Sequence, residues 1–270
     1  MRKLLSYGFV EKALRAQEPL IASYVDLLIA RLREKATVSE TKFSGVILDI
    51  VQWYNYTTFD IIGDLCLGQS FNCLQESALH PWVALIFSHF KASSFMASVR
   101  FYPIISSLLR QCIPKSVMKK QQDHFQFAVD RIDRRMDMET QRDDIMTNVL
   151  QYNSKGDMSV GEIRATFNIL LIAGSETTAT VLSGITNYLV QNRSVLTVLV
   201  NEVRRSFSSD ADINLDTVQK LPYLNAVIEE GLRLCPPVPA GLPRIVPAGG
   251  DTVCGEWLPE YVCTPSPLDQ

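Results

Sequence analysis

The sequence predicts a mainly α-helical body that ends in a small β piece. Three observations predict it. Apolar residues recur at three- and four-residue steps through most of the chain up to Leu234. Helix-start and helix-stop residues bracket those runs, among them Gly68, Ser159 with Glu162, Pro222, and Pro236-Pro237. Beyond them Pro239, Gly241, Pro243, Pro247, Gly249 and Gly250 punctuate short extended pieces. At 270 residues, 47% hydrophobic and 20% charged, the chain holds enough apolar material for one or two packed domains. That balance excludes disordered, collagen-like and coiled-coil architectures.

The elements follow in order. From Glu11 to Ala36 the positions Leu14, Leu20, Ile21, Tyr24, Leu27, Leu28 and Leu32 make an amphipathic helix, expected to restart at Pro19. Val46 to Leu67 forms a second helix through Ile50, Trp53, Phe59, Ile62 and Leu65, with Gly68 placed to end it. His80 to Pro114 is aromatic and broken by Pro81, Pro103 and Pro114, which predicts short helices joined by loops. Lys119 to Met138 reads as a highly charged helix most of whose charge is solvated surface, and Gln141 to Tyr152 as another short helix. Ser159-Val160-Gly161-Glu162 fits a capping box and opens a long helix to about Leu189. Further helices run from Ser194 to Phe207 and from Pro222 to Leu234, the second opened by its proline and stopped by Pro236-Pro237.

Composition removes several function classes. Lys+Arg 26 against Asp+Glu 29 gives a net charge of -3, so no basic field exists to hold nucleic acid. Cys66, Cys73, Cys112, Cys235, Cys254 and Cys263 show no CxxC spacing, which favours reduced thiols over a metal cage. His80, His89 and His124 stand in no paired ligand spacing. Phe167 to Val190 is the longest apolar tract, but it carries Glu176 beside Thr and Ser and reads as a buried helix rather than a membrane span. The opening residues Met1-Arg2-Lys3-Leu4-Leu5 run straight into amphipathic sequence, so no anchor is expected there.

Ala173-Gly174-Ser175-Glu176-Thr177-Thr178 is unusual inside a long helix, because glycine costs about 1 kcal/mol against alanine there. At helical spacing Ala173, Gly174 and Thr177 share a face of two small residues and one hydroxyl, with room for a flat ligand. Glu176 sits one step round, where its carboxyl can relay protons toward the threonine if the helix widens near the glycine. The structural alternative is a glycine that admits a neighbouring helix and a threonine that bonds back to a carbonyl. Glu230-Gly231-Leu232-Arg233 places an acid and an arginine three apart. Apolar residues on both sides of that pair predict that it is buried.

In order and spacing the two motifs resemble those of the cytochrome P450 haem-thiolate monooxygenases, of the type found in fungal secondary metabolism. The resemblance covers the chain to about Pro259 and implies the central part of the cytochrome P450 fold, with residues 1–259 as an incomplete domain and 260–270 as a divergent tail. It implies Glu176 and Thr177 as the acid and alcohol of the proton relay, with Ala173, Gly174 and Thr177 against the haem. Glu230 and Arg233 correspond to the family's acid–arginine structural pair, and Arg244 to an arginine that holds a haem propionate. Arg2, seven residues before Phe9, resembles a second propionate-binding arginine. A planar, largely apolar cofactor fits such a set, since a small-residue notch admits its face and arginines pair its carboxylates.

The family's iron ligand is a cysteine in a loop Phe-x-x-Gly-x-Arg-x-Cys-x-Gly, and its thiolate favours O–O cleavage. No such loop occurs in these 270 residues; around Cys66, Ile62 and Asp64 stand where glycine and arginine are required. No metal ligand is therefore assigned, and Cys66 is expected to be a core cysteine. The resemblance implies haem, O2, a lipophilic small-molecule substrate, and electrons from NADPH through a cytochrome reductase. Val238 to Pro243, Ala173 and Phe87 to Phe95 are the expected pocket lining. The family works at the endoplasmic reticulum membrane, whereas this stretch, without an anchor, is expected in the cytoplasm. Two readings follow: a monooxygenase of which these residues are one part, or a non-catalytic helical relic that binds a hydrophobic ligand or partner.

Overall fold

The computed structural model describes residues 2–37, 46–84, 86, 115–138, 142–153, 156–239 and 244–264. Helix α1 (Arg2–Ser6) passes through a 3-10 turn (Tyr7–Phe9) into α2 (Glu11–Thr37). Then come α3 (Ile50–Leu67), α4 (Cys73–Glu76), α5 (Lys115–Met136), α6 (Ile145–Tyr152) and α7 (Val160–Gln191). They are followed by α8 (Arg193–Ser206), α9 (Leu215–Val218) and α10 (Pro222–Leu234). Four short strands complete the described chain: β1 (Arg244–Ile245), β2 (Asp251–Val253), β3 (Glu256–Leu258) and β4 (Cys263–Thr264). Each pairs antiparallel, β1 with β4 and β2 with β3, so the expected helical body with a small β piece is what forms. Of the expected lining segment Val238 to Pro243, Val238 and Pro239 are irregular, and residues 240–243 lie outside the described set.

The core is a layer of helices around α3 and α7. Ile163, Phe167, Leu171, Ser175 and Ala179 repeat every four residues on α7 and are buried, and α7 packs chiefly along α3 through that stripe. On α3 the buried Trp53, Tyr56, Phe59, Ile62 and Leu65 answer it. Full burial of a side chain such as Phe59 or Phe167 is worth about 1.5–3 kcal/mol. Ser175, the one hydroxyl in the stripe, donates to the Leu171 carbonyl at 2.8 Å, so no polar group is left bare there. The Phe167 to Val190 tract, expected to be buried, hides only this stripe; Ile169, Leu182, Tyr188 and Val190 are exposed. By length and composition α7 is apolar enough to cross a membrane, a test that the core helix of a packed body also passes.

Local signals set most helix ends. Asp49 caps α3, accepting from Val51 and Gln52 N–H, and Gly68 closes it in the left-handed conformation at φ 67°. Ser159 and Glu162 form the expected capping box: Ser159 N–H donates to Glu162 Oε2 at 2.8 Å, and Glu162 N–H to Ser159 Oγ at 3.3 Å. Pro19 does not restart α2, which runs through it without interruption. One missing donor is tolerated because the helix is docked on both sides of it: Ala13 and Leu28 are buried, and Glu18 receives the Leu215 N–H at 2.6 Å.

Other anchors reach between elements. The buried carboxylate of Asp60 on α3 accepts the N–H groups of Cys73 at 3.0 Å and Leu74 at 2.8 Å and so opens α4. Glu202 on α8 accepts from Tyr223 and Leu224, both at 2.9 Å, and fixes the start of α10. Most of the charge of α5 is expected to be solvated, and Asp123, Asp130 and Arg134 are exposed, but one arginine is not. Arg135 on α5 is fully buried and donates to both oxygens of the buried Asp144. Arg142 extends this network to Asp64, whose other oxygen accepts from Tyr24. Removing Arg135 from water succeeds because a second charge and Thr147 Oγ1 meet it inside.

Candidate functional site

The acid–alcohol motif sits halfway along α7. Ala173 and Thr177 lie on the side of the helix turned away from the stripe that packs on α3, since Thr177 is two residues, about 200°, from Ser175. Thr177 is half-buried and Ala173 exposed. The Thr177 hydroxyl donates to the Ala173 carbonyl at 2.7 Å, one turn back. Gly174 faces elsewhere. A Cβ built there would stand 2.8 Å from Cδ1 and 3.0 Å from Cγ1 of Ile62, so this glycine lets α3 approach. The open part of the motif is thus Ala173 with Thr177.

Glu176 is half-buried beside that face, and its Oε2 is buried with no hydrogen-bond partner among the described residues. Burial disfavours its charged form and raises its pKa above the usual carboxylate value. α7 keeps α-helical form from Val160 through Gln191, so the local widening that would aim Glu176 at the threonine is not present. Acid and alcohol are adjacent in sequence and roughly 100° apart around the helix. The relay is not assembled in this conformation: the alcohol's proton is held by the backbone, and one oxygen of the acid is unengaged.

Glu230 and Arg233 form a two-bond pair, Nε to Oε2 and Nη2 to Oε1, both at 2.7 Å. The pair is exposed, not buried as expected: the Arg233 and Glu230 side chains keep 66% and 53% of their accessibility. The reason lies in Gly231, the only buried residue of α10, where the helix crosses α7. A Cβ at Gly231 would fall 2.2 Å from Ile185 Cγ1, so the contact face of α10 runs through the glycine and leaves the pair to one side. Arg244 heads β1 with an exposed side chain. Arg2 opens α1, but its side chain lies outside the described residues, as do Phe87 to Phe95 of the expected lining.

The structure therefore joins Glu230 to Arg233 and groups Ala173, Glu176 and Thr177, while Arg244 stands on a separate two-stranded sheet. An apolar cleft of about 270 Å³ opens between α7, α8 and α10, lined by Ile185, Tyr188, Leu189, Tyr223 and Val227, and does not include Thr177. Sequence reasoning missed the carboxylates of Asp60 and Glu202 and the Arg135–Asp144 pair. Only Asp144 carried a local signal, as a capping residue before the apolar run of α6 that accepts the Thr147 N–H at 2.7 Å.

A long core helix with an acid and an alcohol at a small-residue face, crossed by the helix of an acid–arginine pair, is what the resemblance to haem-thiolate monooxygenases implies. Comparison with known proteins agrees. The family Cytochrome P450 matches residues 1–258. Cytochrome P450 monooxygenase astJ of Aspergillus oryzae is 43% identical over 258 residues, 96% of this chain and 51% of the relative. Cytochrome P450 monooxygenase efuB of Hormonema carpetanum is 42% identical over 264 residues, covering 97% and 52%. Averantin hydroxylase of Dothistroma septosporum is 41% identical over 259 residues, covering 96% and 48%. The chain belongs to the cytochrome P450 family, and it spans about half the length of the relatives it matches.

The residues present suit one face of a haem. Ala173 and Thr177 offer it an open small-residue surface, with a desolvated carboxyl beside them. The described cysteines serve other ends. Cys66 is fully buried in the core, as expected, and burial pushes its thiol well above the ordinary range. Burial likewise pushes the Cys73 thiol up to about 12. Cys235 packs its sulfur against Gly184, and Cys254 is exposed on the hairpin turn. Among the described residues no His, Cys, Asp and Glu cluster is placed to hold a metal ion.

Proposed function

We propose that this chain forms the oxygen-handling part of a cytochrome P450 monooxygenase that inserts an oxygen atom from O2 into a lipophilic small molecule of fungal secondary metabolism. One observation carries the reading: a buried carboxyl oxygen on Glu176, without a partner among the described residues, next to the Thr177 alcohol at an open face of the core helix. Bound haem would supply the iron that binds and reduces O2. Ala173 and Thr177 would lie against its face, and Arg244 and Arg2 would pair its propionates. Glu176, whose proton burial holds more tightly than an ordinary carboxyl's, is a proton donor that can reload from solvent. Thr177 passes that proton on once its hydroxyl swings from the Ala173 carbonyl. The names of the relatives, monooxygenases and a hydroxylase, support the reaction class. Electrons would come from NADPH through a cytochrome reductase, at the endoplasmic reticulum membrane where the family works.

A second reading, a non-catalytic helical protein, is favoured by the exposed Glu230–Arg233 pair and by the occupation of Cys66, Cys73 and Cys235 in packing. The spliced transcript separates the two. A message that encodes a Phe-x-x-Gly-x-Arg-x-Cys-x-Gly loop, and whose product gives the carbon monoxide difference spectrum of a thiolate-bound haem, supports the monooxygenase. A product without that loop and without that spectrum supports the second reading.

A further inference from the structure

Away from α7, His80 stands where four pieces of the fold meet. Its backbone carbonyl accepts the Ala84 N–H at 3.0 Å, the first bond of the helical residues 81–84. Its ring Nδ1 accepts the Trp82 N–H at 3.1 Å. His80 is therefore the cap of that helix and uses a ring nitrogen where a serine or aspartate oxygen is usual. The bond requires a neutral imidazole whose proton sits on Nε2, because a ring protonated on both nitrogens has no acceptor left. The backbone N–H of His80 donates in turn to Cys73 Sγ at 3.4 Å.

The surroundings favour that neutral form. The ring lies between Phe71 and Phe127, with centroids 5.6 and 5.5 Å away, and Phe71 stacks on Trp82 at 5.3 Å. The Arg131 guanidinium from α5 covers both phenyl rings, 5.0 Å from Phe71 and 4.7 Å from Phe127. Its Nη1 is buried with no hydrogen-bond partner among the described residues. The groups acting on the imidazole are thus Arg131 from α5, which opposes a second positive charge, and Glu76 of α4, which favours one. Among the described residues, the Cys73 thiol of α4 and, behind it, the Asp60 carboxylate of α3 complete the set. Burial, then Arg131, outweigh Glu76, and the histidine holds its second proton less tightly than a free one.

We propose that His80 is a proton-operated cap: neutral, it holds the first turn of the helix that begins at Pro81, and protonated, it releases the Trp82 amide and lets that turn open. Trp82, Val83 and Ile86 are buried in the core, so the release is confined to the first turn. The sign follows from the lowered proton affinity. The cap contributes fully above the ordinary histidine value of 6.5 and is lost as pH falls below it through the depressed folded value. Acid therefore loosens this turn while leaving α3 and α7 in place.

Nuclear magnetic resonance on the 270-residue chain tests this. Ring-nitrogen shifts of His80 should show the Nε2–H tautomer at neutral pH and a titration midpoint below 6.5. Over the same interval, protection of the Trp82 amide against hydrogen exchange, corrected for intrinsic rates, should fall about tenfold, the loss expected of one capping bond. His80→Asn keeps an acceptor at the cap without titrating, so its Trp82 protection should stay flat. Arg131→Met should move the midpoint upward. An Nδ1–H tautomer at neutral pH, or constant Trp82 protection while His80 titrates, overturns the proposal with no variant needed. An equal loss of protection in His80→Asn, or an unmoved midpoint in Arg131→Met, overturns it as well.

Discussion

Asp144→Asn should be among the most damaging conservative changes in this chain. Arg135 and Asp144 keep 1% and 0% of their side-chain exposure, and Arg135 Nη2 lies 2.9 and 2.7 Å from the two carboxylate oxygens. Asparagine preserves the shape and the acceptor that caps Thr147, while it removes the charge and turns the oxygen that accepts from Arg135 at 2.7 Å into an amide donor. It leaves a buried guanidinium without its counter-ion, at a cost of about 3–5 kcal/mol. Whole domains of ordinary stability have only about 5–15 kcal/mol to lose. In a chain of this size the cost corresponds to a drop in Tm of roughly 6–20 °C. The assay is urea unfolding followed by far-UV circular dichroism, with midpoints compared at constant slope. Arg135→Met should cost a similar amount, and the double variant should recover much of the loss, because no isolated charge remains. Asp133→Asn is the control: its pair with Arg164 is about a third exposed on each side and should cost under about 1 kcal/mol. The reasoning is refuted if Asp144→Asn costs no more than that control, or if the double variant loses the sum of the singles.

Two other perturbations follow from contacts already described. Gly231→Ala forces a methyl to 2.2 Å from Ile185 Cγ1; overpacking of about 1–3 kcal/mol against a helix gain of about 1 kcal/mol predicts a net loss, which Ile185→Ala should relieve in a double-mutant cycle. Purely additive losses in urea unfolding would show that the two residues do not meet. Glu176→Gln should stabilise the chain near neutral pH and have little effect in acid. The folded state raises this carboxyl's pKa above 4.5, so its contribution is greatest below that value and is lost as pH rises through the raised one. Stability measured against pH checks it, and a destabilised Glu176→Gln at neutral pH would mean that the charged form has a partner.

Signals written in a few adjacent residues were legible. The capping box at Ser159, Gly68 at the end of α3, and the limits Pro222 and Leu234 of α10 all stand where local chemistry predicts. Pro19 misled because helix propensity is a local quantity, and docking of α2 on both sides of the proline overrides it. Asp60, Glu202 and Arg135 were invisible for the opposite reason: each acts on a different helix, at a separation no periodicity encodes. In the candidate site, the nearness of Glu176 to Thr177 could be read from spacing. The direction in which Gly174 opens could not, because it depends on where α3 lies. The apolar neighbours of Glu230 and Arg233 suggested burial, yet the crossing at Gly231 turns a different face of α10 inward.

The most direct test of the oxygen-handling role is made in a full-length protein in which residues 1–258 replace the matching part of averantin hydroxylase from Dothistroma septosporum. The quantity to measure is product formed per O2 consumed, with Thr177 intact and in Thr177→Ala. The account predicts that the intact protein couples the two, and that Thr177→Ala continues to consume O2 while forming product at least about a hundredfold more slowly, the loss expected when a proton-transfer group is removed. An unchanged ratio in Thr177→Ala would contradict it.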